Sequence, residues 1–201
     1  MQTRPARVDR KEVDLRRLVA GFLRMAPDVA IVGEVRDREA LPLLLTLSSG
    51  VQGFTTIHAG SARQALSRLR FICQLADTRS ELTLPALSSL VSEAVDVVVH
   101  CARYDGTPRV TEVVAVEDLH VSPETVAFTT TSIWERLRRD AGLAWTGNLP
   151  VRSTRALERV GYDVRTLVDA TLPGGTDRGG WAASDGRPAR GGDAGEERPA
   201  W

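Results

Sequence analysis

Blocks of apolar positions change period several times along the first hundred residues. Leu15, Leu18, Val19, Phe22 and Leu23 recur at helical spacing behind Asp14, which can cap the segment, and Pro27 stops it. Val29 to Val32 is then a short all-apolar run, the pattern of a parallel strand covered on both faces. A helix carrying Leu41, Leu44, Leu45 and Leu47 follows, with Asp37 as its cap, Pro42 early in it and Gly50 at its end. Phe54, Thr55, Thr56 and Ile57 form a second β-rich run that closes on His58. Ser61 and Gln64 make a capping-box pair at the head of another helix, whose inner face is Ala65, Leu66, Leu69, Ile72 and Cys73. Thr83 as cap and Pro85 in the first turn predict a helix from Leu84 to Ala94.

From Val95 the period becomes that of strands. The runs VDVVVH and RVTEVVAV flank ARYDGTP, in which Asp105-Gly106 is a hairpin turn signal. Beyond Asp118 the pattern weakens; SIWERLRRDAGL predicts a short helix and TRALERVGYDVRTLVDA a second. After Pro173 the chain is Gly, Pro, Ala and charge with almost no aliphatic residue, which predicts a disordered tail. Alternating helices and strands followed by an antiparallel pair predict an α/β fold, a RecA-like or other doubly wound parallel core with an edge hairpin.

Charge narrows the partners. Lys+Arg and Asp+Glu are both 26 in 201 residues, so there is no global basic field of the kind that marks a nucleic-acid binder, and none is expected as partner. Lys11 is the only lysine. Cys73 and Cys101 sit in apolar contexts without CxxC spacing and read as small core residues in a reducing cytosol. No apolar run approaches a membrane span and the N-terminus has no signal-peptide pattern, so the expectation is a cytoplasmic protein, peripheral at most to the inner face of the cell membrane.

Two apolar runs each deliver one polar side chain at the C-terminal end, Glu34 and His58, and the interval between them leaves room for one crossover helix. That edge is where ligands bind in open α/β sheets. An apolar strand ending in a carboxylate is also the physical form of a Walker B element, which holds an acidic group beside a phosphate site to polarise attacking water. Arg36 and Asp37 serve either the site or simply the start of the next helix. Arg63 and Arg70 read as solvated, and a histidine at a strand end is as readily a satisfied turn residue.

LRMAPDVAIVGEVRDREA followed by GFTTIHAGSARQALSRL resembles the Walker B and histidine-box region of the secretion ATPase superfamily, the hexameric motors of type II and type IV secretion and type IV pilus assembly. Within it the likeness is to the CpaF-like branch that drives tight-adherence (Flp/Tad) pili. The opening QTRPARVDRKEVDLRRLV and the later VSEAVDVVVHCARYDGTPRVTEV are similar too, so the resemblance runs from about Gln2 to about Asp118. It implies a partial RecA-like P-loop NTPase core over residues 1–120, an extension with short helices over 121–171 and the tail over 172–201. It further implies ATP with Mg²⁺, a homo-oligomeric hexameric ring and an inner-membrane platform protein as partner. Glu34 would be the carboxylate that activates water and His58 the histidine near the γ-phosphate. Arg36 and Asp37 match the positions after the glutamate, Arg68 a basic position in the following helix, and Arg4 a position facing a neighbouring subunit's nucleotide.

One part of that machinery is absent from these 201 residues. A P-loop, GxxxxGK[ST], does not occur, and Lys11 lies between Arg10 and Glu12 with no glycine nest around it. The 33 residues before Glu34 are too few for a P-loop unit as well as the helix after Asp14, since one βαβ unit takes about 30. The expectation is no autonomous ATP hydrolysis and a Val29 to Val32 strand short of a neighbour. Three classes of function remain: the C-terminal portion of a secretion ATPase, a non-enzymatic interaction module that associates with a full-length homologue, and a truncated remnant.

Overall fold

The computed structural model describes residues 3–5, 11–76, 82–118, 120–121 and 126–166. The chain divides into two compact units, Met1–Gly161 and Tyr162–Trp201. In the second unit the described residues are few, and Asp163 accepts from the amides of Arg165 and Thr166 and from the Thr166 hydroxyl. The disordered tail expected after Pro173 lies outside the described residues.

In the first unit Asp14 caps α1 (Leu15–Phe22) by accepting the Arg17 amide at 2.8 Å, and a 3₁₀ turn carries the chain to Met25. β1 (Val29–Val32) pairs in parallel with β2 (Gln52–Thr55) across the intervening helix α2 (Ala40–Ser48), which ends at Gly50 with φ +98°. Asp37 does not cap α2. Glu39 holds the cap position, and its carboxylate is turned back onto the amides of Arg36 and Asp37. Ser61 and Gln64 open α3 (Ala62–Ala76): the Ser61 hydroxyl accepts the Gln64 amide, and the Gln64 side chain takes the Gly60 amide. Thr83 caps α4 (Leu84–Ala94) with Pro85 in its first turn.

The hairpin of β3 (Val97–Tyr104) and β4 (Thr107–Val116) turns at Asp105 and Gly106, both at positive φ. It does not extend the β1–β2 sheet. β4 pairs instead with β7 (Thr130–Glu135) and β7 with β8 (Ala144–Trp145), a separate antiparallel sheet in the order β3-β4-β7-β8. The segment predicted as a helix, SIWERLRRDAGL, is therefore strand and turn. Its Ile133 and Trp134 are β-formers, and pairing with β4 overrides the helical spacing of its charges. Between β4 and β7 lies a small ribbon of β5 (His120–Val121) and β6 (Val126–Ala127). The next predicted helix begins early, as α5 (Val151–Arg159), and stops before Gly161 at φ +89°.

One core joins the two sheets through the helices. Ala30 and Val32 meet Leu43 and Leu44 of α2, Leu66, Leu69, Ile72 and Cys73 of α3, Val91 of α4 and Val116 of β4. The predicted inner face of α3 is buried throughout. Burial pushes the Cys73 thiol up to about 12, so it behaves as an inert apolar group. Cys101, expected in the core, is exposed on the outer face of β3. Arg63 and Arg70 are not simply solvated: Arg63 donates to the Phe128 carbonyl and the Thr130 hydroxyl, while Arg70 donates to Ser88 and lies 5.6 Å from the centre of the Phe128 ring.

β1 is covered on one face only. Ala30 and Val32 are buried, whereas Ile31 is 74% exposed and Phe54, its register partner on β2, 70%. Among the described residues β1 pairs with β2 alone. An apolar groove of about 330 Å³, lined by Leu15, Leu18, Phe22, Val29 and Ile31, runs beside β1. No helix among the described residues is long and apolar enough to cross a membrane.

Candidate functional site

The parallel pairing of β1 and β2 puts both strand ends on one edge, and two hydrogen bonds carry the alignment past the strands. The Thr56 hydroxyl donates to the Gly33 carbonyl at 2.6 Å, and the Val35 amide to the Thr56 carbonyl at 2.8 Å. Glu34 and His58 thereby meet: His58 Nε2 is 3.1 Å from Glu34 Oε1. This is ion-pair distance without the alignment of a hydrogen bond, so buried Oε1 has no hydrogen-bond partner. The other oxygen, Oε2, is paired with the Arg36 guanidinium.

The carboxylate is about one-fifth exposed, while the His58 and Arg36 side chains are largely in solvent. The Arg36 hydrogen bond holds the Glu34 carboxyl below the usual range, against the upward push of burial, and the charges of Arg36, His58 and Arg68 act in the same downward direction. Glu34 in turn pushes the Arg36 guanidinium up. Around the ionised carboxylate stand the Arg36 guanidinium, the His58 imidazole and, from α3, Arg68. The carboxylate can orient a water or take its proton, but only through the oxygen that His58 now covers.

Arg36 stands where it does because of a residue that the sequence pattern did not single out. Glu39 is 6% exposed, and its Oε1 accepts the amides of Arg36 at 2.6 Å and Asp37 at 3.0 Å. Asp37 takes no part in the Glu34 cluster; its carbonyl accepts the Ala40 amide as α2 begins. Arg68 joins the field around Glu34 from α3. Arg4 is held elsewhere, in a bridge to Val13 and by donation to the Lys11 carbonyl.

Residues 2–134 match the model of a family described as type II/IV secretion system protein. The chain belongs to that family. Among curated members it is 41% identical over 106 residues to the conjugal transfer protein TrbB of Rhizobium radiobacter, covering 52% of this chain and 31% of TrbB. It is 30% identical over 97 residues to the type IV secretion system protein VirB11 of Bartonella quintana, covering 48% and 27%. A solved VirB11 ATPase from the Brucella suis type IV secretion system, in complex with sulphate, aligns with TM-score 0.47 at 30% identity over 50% of this chain and 31% of that one. The match spans 25% to 31% of the length of these curated relatives.

In this secretion-family chain the turn after His58 is also tied to the antiparallel sheet. The Ala62 amide donates to Glu112 Oε1 at 2.6 Å, and His100 Nε2 lies 3.3 Å from the Ala59 carbonyl. The signal for these partners was one polar residue inside each apolar run, His100 in VVVH and Glu112 in TEVV. Periodicity alone gave no reason to connect them to a turn 41 and 50 residues earlier.

Proposed function

We propose that this chain supplies the water-activating half of an ATP-driven secretion motor, a partial RecA-like core whose Glu34 is the Walker B carboxylate and whose His58 senses the γ-phosphate. Its relatives' names, conjugal transfer and type IV secretion proteins, favour that branch of the family over the CpaF-like pilus motors that the sequence motifs suggested. The observation that carries the proposal is the 3.1 Å approach of His58 to Glu34 across parallel strand ends. In the ground state His58 covers Oε1 and Arg36 occupies Oε2. A phosphate that draws both side chains outward would uncover an ionised carboxylate, which then aligns water for in-line attack. The motor is a homohexamer on the cytoplasmic side of an inner-membrane platform protein.

An Mg²⁺ that accompanies the nucleotide would be held mainly by phosphate oxygens and water, and asks for few protein ligands. Among the described residues no three His, Cys, Asp or Glu side chains cluster for a metal, and the Glu34 carboxylate is already paired. The P-loop pattern is also missing from the sequence, so phosphate-binding energy has to come from elsewhere in a complete assembly.

A second reading, a module that joins a full-length homologue without turning over ATP itself, is favoured by the uncovered face of β1 and β2. Both are tested by one preparation. The purified chain alone shows no ATP turnover above that of its Glu34→Gln variant; turnover abolished by that substitution overturns the missing-clamp part of the proposal. Mixed with a full-length TrbB-type relative, the chain co-elutes, and the mixture's turnover differs between wild type and Glu34→Gln. Co-elution with identical turnover supports the module; no co-elution removes both.

A further inference from the structure

His58 lies between two anchored points. On its N-terminal side Thr56 is fixed to Gly33 and Val35 by the bonds already described. On its C-terminal side the anchors come from a different sheet. His100 on β3 is 16% exposed, and its Nε2 faces the Ala59 carbonyl, which can only accept. Nε2 must therefore carry a proton for that contact to bond. Thr111 Oγ1 on the neighbouring β4 lies 2.6 Å from Nδ1 and 3.1 Å from the His100 carbonyl, and its one proton serves one of the two acceptors at a time, which holds the ring's orientation from behind. Next to Thr111, Glu112 caps α3 at the Ala62 amide and stands 3.9 Å from His100 Nδ1.

We propose that His100, oriented by Thr111 and supported by Glu112, is a positioning residue that holds the Ala59–Ala62 turn and through it keeps His58 over Glu34. The proposal rests on the Glu34–His58 site put forward above. It also makes the antiparallel sheet a part of that site: movement of the β3–β4 hairpin is transmitted to the imidazole through one carbonyl and one amide. Neither His100 nor Glu112 touches the carboxylate. Their effect reaches it only by way of His58.

The test reads the Glu34 carboxyl by carbon-13 NMR titration of the 201-residue chain, because His58 is one of the charges that lower it. His58→Ala raises the Glu34 midpoint. His100→Gln raises it by the same amount in the wild-type background and has no further effect once His58 is alanine, whereas Arg36→Ala still raises it in every background. Thr111→Val, nearly isosteric, moves the midpoint in the same direction and guards against a fold lost in His100→Gln, with far-UV circular dichroism as the check. If His58→Ala moves the midpoint and neither His100→Gln nor Thr111→Val does, the positioning role is wrong. If His58→Ala itself leaves the midpoint unchanged, the underlying Glu34–His58 site fails instead.

Discussion

His58 Nε2 sits 3.1 Å from Glu34 Oε1 and covers the one carboxylate oxygen that Arg36 leaves free. The contact joins residues just beyond the ends of two strands with a helix between them, so it exists only while β1 and β2 stay in register. Everything chemical that this chain can do at that edge depends on the pairing.

The first prediction concerns acid stability. Arg36 is the largest cause that lowers the Glu34 carboxyl from its ordinary 4.5. A carboxyl lowered in the fold stabilises the fold above its unfolded value and loses that contribution as pH falls through the folded value. Arg36→Ala therefore raises the Glu34 midpoint and lowers neutral-pH stability, and the two proteins converge once both carboxyls are protonated. Urea midpoints at neutral pH and at a pH below the folded value check this; a stability difference unchanged by acidification would contradict it.

Register makes the second prediction. Gly53 faces Ala30 across the parallel pair, and a Cβ on it would lie 2.6 Å from the Ala30 carbonyl oxygen and collide with the Leu47 side chain. Leucine can shift, but the backbone of the paired strand cannot without breaking the ladder. Gly53→Ala should cost on the order of 2 kcal/mol in urea unfolding, the usual scale of an overpacked interior. It should also separate His58 from Glu34, read as a rise in the Glu34 carboxyl midpoint. Gly142→Ala, where a Cβ meets nothing within 4 Å, is the control.

Much of this arrangement could be read before any coordinates. Helix starts at Asp14, Ser61 and Thr83 were legible because a capping side chain bonds within four residues of itself, and the hairpin at Asp105-Gly106 because a two-residue turn needs positive φ there. What escaped was non-local. SIWERLRRDAGL carries Glu135, Arg138 and Arg139 at helical spacing, and only β4 alongside makes its first residues a strand. Asp37 looks like a cap, but α2 begins later, with Glu39 at the cap position and its carboxylate turned back onto the amides of Arg36 and Asp37. For the site, Glu34 and His58 were visible as polar strand ends, while His100, Thr111 and Glu112 lie in a segment whose alternation says only "strand". Their relation to His58 belongs to the packing of one sheet against another, which no local pattern encodes.

The exposed face of β1 and β2 gives the third prediction. Ile31 and Phe54 are register partners, about three-quarters and seven-tenths exposed, beside the groove lined by α1. Side chains this open contribute little to the fold of the chain alone, so Ile31→Thr or Phe54→Ser should change its unfolding free energy by no more than about 0.5 kcal/mol. Apolar surface of this kind does promote association. The same variants should then bind less of a hydrophobic dye and co-elute more weakly with a full-length relative. A large loss of stability without change in association would mean that the face is covered within the chain.

Glu39 supports the last prediction, because it controls Arg36 without touching Glu34. Its buried Oε1 accepts two successive amides, those of Arg36 and Asp37, and its charge helps keep the guanidinium protonated. Glu39→Ala strips both amides of their acceptor in a place with little access to water, at a cost of about 2–3 kcal/mol. Glu39→Gln keeps an acceptor oxygen but loses the charge, and should cost about 1 kcal/mol. The two variants also separate stability from site geometry. If the turn orients Arg36, the Glu34 carboxyl midpoint rises in Glu39→Ala and stays nearer wild type in Glu39→Gln. If it moves equally in both, the charge of Glu39 matters to the site and its hydrogen bonds do not.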